Sequence, residues 1–230
     1  MGDSPHLVTE QWLREKCGIA AARMTPAQAY SLVVEMGPPA IWWLEDELTE
    51  KAETHARTLF GKSQSFRKTP RLPQDSGCFP VLVANRKPER LPALRRAFVV
   101  PLRWVPGKRH HPRLPKTLID VADRVQGELR RAGEISQDRH WGLRPGIKHF
   151  LDKVDLSQLP WGWGSAWASL TAGLLLAEWD AKGHAREACA SADFSPGVGI
   201  QPVEGLSAKA EAAARIGVKQ LFVPQSQVEE

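Results

Sequence analysis

Ser165 stands between Gly164 and Ala166, where the loop Trp161-Gly162-Trp163-Gly164 runs into a small-residue and then leucine-rich stretch ending at Ala177. A serine hydroxyl is a weak nucleophile near neutral pH and attacks a carbonyl only with a base at hand. At the start of a helix it also has backbone N–H groups and the positive dipole end beside it, the donors a developing oxyanion needs. Taken alone, a serine opening a helix is most simply an N-cap. Lys209 sits among Leu206, Ala208, Ala210, Ala212 and Ala213, with Glu204 and Glu211 as the nearest acidic residues. A lysine amine acts as a base only when uncharged, so its pKa must fall well below the free value of about 10.4. Desolvation among apolar neighbours does that, provided Glu211 points elsewhere on the helix. Taken alone, a lysine in an alanine-rich helix is a surface residue. His110-His111 has neither a partner at ligand spacing nor a setting free of prolines, and reads as part of a loop. No metal or cofactor is expected.

The two candidates gain weight from the runs that contain them. Ile200-Gln201-Pro202-Val203-Glu204-Gly205-Leu206-Ser207-Ala208-Lys209 continues through an alanine-rich stretch to Gly217-Val218-Lys219 and an apolar strand closed by Pro224. This resembles the end of the Lon-type serine-lysine peptidase domain, in which a strand, Pro-Val-x-Gly-Leu, two residues and a lysine precede such a helix. That family also places its nucleophile in a Gly-x-Ser-Ala turn opening a buried helix, some forty residues earlier. Gly164-Ser165-Ala166 stands 44 positions before Lys209. The resemblance implies Ser165 as nucleophile, Lys209 as general base, Gly164 and Ala166 as the turn and oxyanion positions, and Ser191, in Cys189-Ala190-Ser191, as the hydroxyl that hydrogen-bonds the lysine. It covers residues 97–224 and is strongest over 155–224. Two departures stand out. Lon enzymes have an acidic residue and glycine before the serine and a small residue two positions after it, whereas Trp161, Trp163 and Trp167 flank Ser165 here and could narrow the substrate groove. The family fold also continues past the last strand with a further helix-strand unit. Either that ending is replaced in this chain, or the chain is part of something longer.

The elements that must position these residues follow from periodicity. Thr9-Glu10 precedes one helix and Thr25-Pro26 opens a second, with threonine as N-cap and proline in the first turn. A third is expected over residues 41–60, with the adjacent Trp42 and Trp43 unable to face one core equally. Composition marks residues 61–76 as a loop or linker. Strands are expected over 79–84 and 97–105, the latter pushed toward a sheet edge by Pro101. Next come a helix over 118–132, a turn region over 142–146, the buried helix after Ser165, strands over 186–194 and 198–203, a helix over 207–216 and a last strand over 219–224. The fold class is therefore α/β (α+β). The resemblance divides it into a mainly helical, regulatory or partner-docking region over residues 1–90 and a Lon-like peptidase domain over 91–230.

Composition bounds the function. Three cysteines, Cys17, Cys78 and Cys189, lie far apart and form neither a disulfide framework nor a metal motif, which suits a reducing cytoplasm. No stretch is apolar for the roughly 20 residues a membrane span needs. No Gly-x-x-x-x-Gly-Lys-Ser/Thr loop occurs, so no ATPase motor of the usual Lon kind is expected in this chain. The expected function is ATP-independent, limited cleavage of a protein substrate. Net charge is +5, and between Arg86 and Lys116 ten basic residues face only Glu89. The alternative function is accordingly a non-catalytic Lon-like scaffold that binds nucleic acid or an acidic protein through residues 86–116, with Trp104 near enough to stack a base.

Overall fold

The computed structural model describes residues 7–61, 71–73, 78–159, 161–179 and 187–228. Four helices come first: α1 (Glu10–Cys17), α2 (Pro26–Met36), α3 (Ala40–Trp43) and α4 (Asp46–Phe60). Thr9 caps α1 by accepting from the Trp12 amide. Thr25 and Gln28 close a reciprocal capping box on α2, with Pro26 in its first turn. The helix expected over residues 41–60 is instead two helices. Leu44 and Glu45 between them are extended, because Leu44 bridges to Leu94 and the Glu45 amide donates to the Ala93 carbonyl. A tertiary pairing there outweighs helical propensity. It also lets Trp42 and Trp43 both be buried, since a single helical turn enclosed by neighbours has no solvent face to give either ring.

A three-stranded antiparallel sheet follows, in the order β1 (Phe79–Ala84), β2 (Ala97–Pro106), β3 (Trp141–Pro145). β2 lies at its centre, not at an edge. Pro101 is tolerated because its hydrogen-bonding side faces away from Pro80 toward the other neighbour, where its carbonyl accepts from Gly146 just where β3 ends. Its missing N–H therefore falls beyond the ladder. The turn expected over 142–146 is the strand β3, held by pairing from Leu102 opposite Pro145 to Pro106 opposite Trp141. The helix α5 (Lys116–Arg131) joins β2 to β3.

After β3 come α6 (Trp167–Glu178), β4 (Ala188–Ala190), β5 (Asp193–Ser195), β6 (Gly199–Gln201), α7 (Leu206–Arg215) and β7 (Gln220–Phe222). β4 pairs parallel with β7, and β5 forms a hairpin with β6. The single strand expected over 186–194 is broken at Ser191-Ala192. The Ser191 amide still bonds the Phe222 carbonyl, but the Ala192 carbonyl has turned to accept from Ala168 at the start of α6. Arg186 and residues 62–70 and 74–76 of the expected linker lie outside the described residues. Both α6 and α7 pack against β1 and β2, α5 packs on α6, and α3 packs on β2. One buried apolar cluster runs from Val8 through the sheet to Val218. Its aromatic centre joins helix, sheet and loop: the Trp161 ring lies 4.2 Å from Phe98 and 5.1 Å from Trp43, centroid to centroid. Burial of such rings fixes the loop that leads to Ser165. The architecture is mixed α/β, with helices first and alternating strands and helices after.

Candidate active site

Three segments meet at the amine of Lys209. The first is the loop before α6. Trp161 and Trp163 anchor it in the core, and a single 3-10 turn over Gly164–Ala166 then presents a half-buried Ser165. That turn uses the Ala166 amide on the Trp163 carbonyl and the Trp167 amide on the Gly164 carbonyl. Among the described residues no carbonyl takes the amides of Gly164 or Ser165, whereas the Ala166 amide, expected at an oxyanion position, is already spent on the Trp163 carbonyl. Gly164 closely approaches Asp193: a Cβ there would stand 2.5 Å from a carboxylate oxygen, and that side chain would have to swing aside. The second segment is the break between β4 and β5, which buries Ser191 at 1% exposure. The third is α7. Gly205 opens it at φ +66°, a left-handed conformation that suits glycine, and its carbonyl receives the Lys209 amide.

The geometry is close. Lys209 Nζ lies 2.9 Å from Ser165 Oγ and 3.2 Å from Ser191 Oγ. The residue is 1% exposed, and neither hydroxyl can neutralise a positive charge. Burial pushes the Lys209 amine down to about 8 from its ordinary 10.5, the nearby carboxylate of Glu204 pushes it up, and the Arg86 guanidinium pushes it down. Desolvation prevails because Glu204 is exposed and already paired with Arg86 at 3.0 Å, so water and the guanidinium screen it. Asp193 beside Gly164 is held in turn by Arg124 of α5 and by the Phe194 amide. An uncharged Lys209 can accept the Ser165 proton while donating one of its own hydrogens to Ser191, which fixes the lone pair toward the nucleophile.

These groups line an open pocket of about 160 Å3, with Ala84, Arg86, Gly162, Gly164, Ser165, Asp193, Pro202, Val203, Glu204 and Lys209 around it. None of the three flanking tryptophans is in that lining. Trp161 and Trp163 face the core, and Trp167 stacks on Phe194 at 4.9 Å and donates to Glu128. The groove is therefore not narrowed by indoles. Glu211 lies off this pocket.

No known family model matches the chain, and no curated protein matches it.

Three site residues were not singled out from the sequence in these roles. Asp193 stands two places after Ser191, and Glu204 one place before the Gly205-Leu206 pair, so each was within reach of the motif. Arg86 arrives from the end of β1, and its own neighbourhood marks it only as the first of the basic run. The other candidates disperse. Trp104 is buried and donates to the Leu170 carbonyl, so it cannot stack a base. His110 accepts from the Leu143 amide and meets Asp123 at 3.0 Å, tying its loop to β3 and α5. Burial, with Arg144 and Arg113 nearby, holds His111 below its ordinary pKa. Among the described residues no group of His, Cys, Asp and Glu could hold a metal ion. Of the basic run, Arg95 is spent on Asp46 and Arg113 on the carbonyls of Leu151 and Asp152, while Arg90, Arg96, Arg103, Lys108, Arg109 and Lys116 are exposed. Among the described residues no helix is long and apolar enough to cross a membrane.

Proposed function

We propose that the chain is a serine peptidase of Lon-like type, in which Ser165 is the nucleophile and Lys209 the general base, and which makes limited cuts in a protein substrate without a motor of its own. One observation carries this reading: a lysine amine buried without a carboxylate partner, with its pKa drawn down to about 8, lies 2.9 Å from a hydroxyl at the mouth of an open pocket. A lysine buried for packing alone would reach a carboxylate or extend its amine to water.

In the reaction, Ser165 Oγ bonds to the scissile carbonyl carbon as its proton passes to the Lys209 amine. The amides of Gly164 and Ser165 receive the oxyanion. The intermediate collapses with rupture of the C–N bond, and the Lys209 ammonium returns its proton to the departing amine. Water then attacks the acyl ester, giving its proton to Lys209. As the bond from the acyl carbon to Ser165 Oγ breaks, the Lys209 ammonium returns that proton to Oγ, restoring the free hydroxyl and the neutral amine. Ser191 orients the amine. Most of this machinery comes from residues 91–230, but β1 belongs to the same sheet, and Ala84 and Arg86 at and just past its end line the pocket. The boundary expected at residue 90 therefore falls inside the catalytic unit, and the helices α1–α4 before it serve to dock or regulate.

The test is to map new N-termini by mass spectrometry after incubating unfolded casein with the protein. Ser165→Ala and Lys209→Ala each remove the cuts, with thermal midpoints showing that both variants fold. Full cleavage by either folded variant overturns the dyad. A competing reading, a scaffold that binds nucleic acid or an acidic protein, is favoured by the exposed arginines and lysines of residues 90–116. It calls for steeply salt-dependent binding that Ser165→Ala leaves untouched.

A further inference from the structure

The Ser165 pocket is one end of a longer depression. It shares Ala84, Arg86 and Glu204 with a groove of about 740 Å3 between α7 and the 85–96 segment. That groove in turn shares Glu45, Arg96, Ala208 and Glu211 with a hollow of about 290 Å3 that reaches Arg215. Adjoining in this way they form one open cleft along the ten-residue helix α7, whose Ser207, Ala208, Lys209, Glu211, Ala212 and Arg215 contribute to its wall. A helix of that length runs about 15 Å, enough for roughly four or five residues of extended chain.

We propose that this cleft receives the polypeptide to be cut, in extended form, and selects segments with a lysine or arginine within about five residues of the scissile bond. The proposal rests on the peptidase reading of Ser165 and Lys209. Continuity is its first support, because a chain lying in the groove leads directly to the nucleophile. Charge is the second. Among the described residues Glu45, Glu89 and Glu211 on the walls of the 740 Å3 groove form no salt bridge, Glu204 is matched by Arg86, and Arg96 is that groove's remaining cation, while Arg95 and Arg215 in the adjoining hollow are both held by Asp46. A surplus of carboxylate in a molecule of net charge +5 inverts the local sign against its background. The third support is the lining between those carboxylates. Ala84, Pro88, Pro92, Leu94 and Ala208 give an apolar bed on which the stem of a lysine or arginine can lie while its head reaches a glutamate. The Arg86–Glu204 pair stands where groove and pocket join, so the substrate backbone crosses it to reach Ser165.

Two measurements test the proposal separately from the reading beneath it. In the uncleaving Ser165→Ala protein, fluorescence anisotropy compares a labelled, unstructured heptapeptide containing two arginines with the same peptide containing two glutamates. The arginine peptide binds, and the double variant Glu89→Lys, Glu211→Lys weakens it at least tenfold with no change in thermal midpoint, both sites being exposed. Equal binding of the two peptides, no binding of either, or indifference to the reversals overturns the cleft. In the casein cleavage maps, cuts that require Ser165 but show no enrichment of lysine or arginine within five residues also overturn the cleft, and leave the peptidase reading standing. Identical maps from the wild type and Ser165→Ala remove the peptidase reading, and the substrate cleft with it.

Discussion

The helix α7 carries a cation near each end, and the two keep different company. Arg215, in its last turn, donates to the Ile41 carbonyl and meets Asp46 at 3.0 Å, while Asp46 is also bound by Arg95. Burial pushes the Asp46 carboxyl up, but the two guanidiniums outweigh it and hold it below the usual range. Lys209, six residues earlier, has two hydroxyls and no carboxylate in contact. The first arrangement keeps charge and joins α7 to the N-terminal helices. The second loosens the proton, so that the charge is given up near pH 8. A buried cation is structural when a carboxylate and a carbonyl answer it, and becomes a base when only neutral acceptors do.

Exchanging each cation for an apolar side chain of similar length should break this comparison most sharply. Lys209→Met is expected to lower cleavage by roughly 10²–10⁴-fold, the span of general-base catalysis. It should also stabilise the fold at pH 7 by roughly 1–3 kcal/mol, as a buried ammonium is removed. Arg215→Met is expected to do the reverse. Cleavage stays within a few-fold, and stability falls by about 1–2 kcal/mol because the Ile41 carbonyl loses its donor. Thermal melts and casein cleavage on the same preparations check both. Loss of stability in Lys209→Met would mean that its amine is an ordinary structural contact.

The next largest effect is one of pH. With its amine at about 8, Lys209 is mostly ammonium at pH 7 and mostly free base at pH 9. Cleavage should therefore climb about tenfold per unit below the bend and level off above it. Stability has its own sign. The unfolded lysine keeps its proton to about 10.4, so between about 8 and that value the unfolded state holds more protons and the fold gains stability as pH rises. Below pH 8 the whole penalty is present, roughly 3 kcal/mol by the same shift. The stability advantage of Lys209→Met should shrink across that interval and vanish above it. A difference that is flat from pH 7 to 10.5 would show that no depressed amine exists.

Much of the site was legible because its makers are local. Gly164-Ser165-Ala166 and Gly205-Leu206 with Lys209 are turns into helices, decided by small residues within a few positions, and their order along the chain carries the pairing. Ser191 was legible for the same reason. What could not be read depends on distant partners. Leu44 leaves the helix because Leu94 claims it, Pro101 occupies a central strand because β3 ends where its missing N–H would point, and residues 141–145 become a strand because β2 offers them an edge. Each is a tertiary contact that overrides a local preference. The tryptophans around Ser165 misled in the same way: bulk is visible in a sequence, but whether it points into a groove or into a core is not.

Ser191→Ala tests how much of the amine's behaviour comes from its second hydroxyl. The expected loss in kcat is about tenfold, with KM little changed, because the substitution frees the lone pair to wander and removes no part of the substrate site. Ser191 is buried, so the variant also leaves the amine short of one acceptor and should make its ammonium form harder still to hold. The rising limb of the pH profile then moves to lower pH even as the plateau falls. A plateau drop with no movement of the limb would assign Ser191 to packing.

The finest adjustment lies in the exposed pair at the pocket mouth. Glu204 favours the ammonium form of Lys209 and Arg86 opposes it, each after desolvation in importance. Glu204→Gln should move the rising limb of kcat/KM to lower pH and increase cleavage at pH 7, since the carboxylate that steadies the ammonium is gone and Arg86 acts unanswered. Arg86→Gln should move it to higher pH. Both displacements should fade in high salt, because the two side chains are largely open to water, whereas the depression due to burial should not. Salt thus separates the two causes in one protein. If Glu204→Gln moves the limb upward, or if salt abolishes the whole depression, the amine is set by surface charge and the contrast with Arg215 fails.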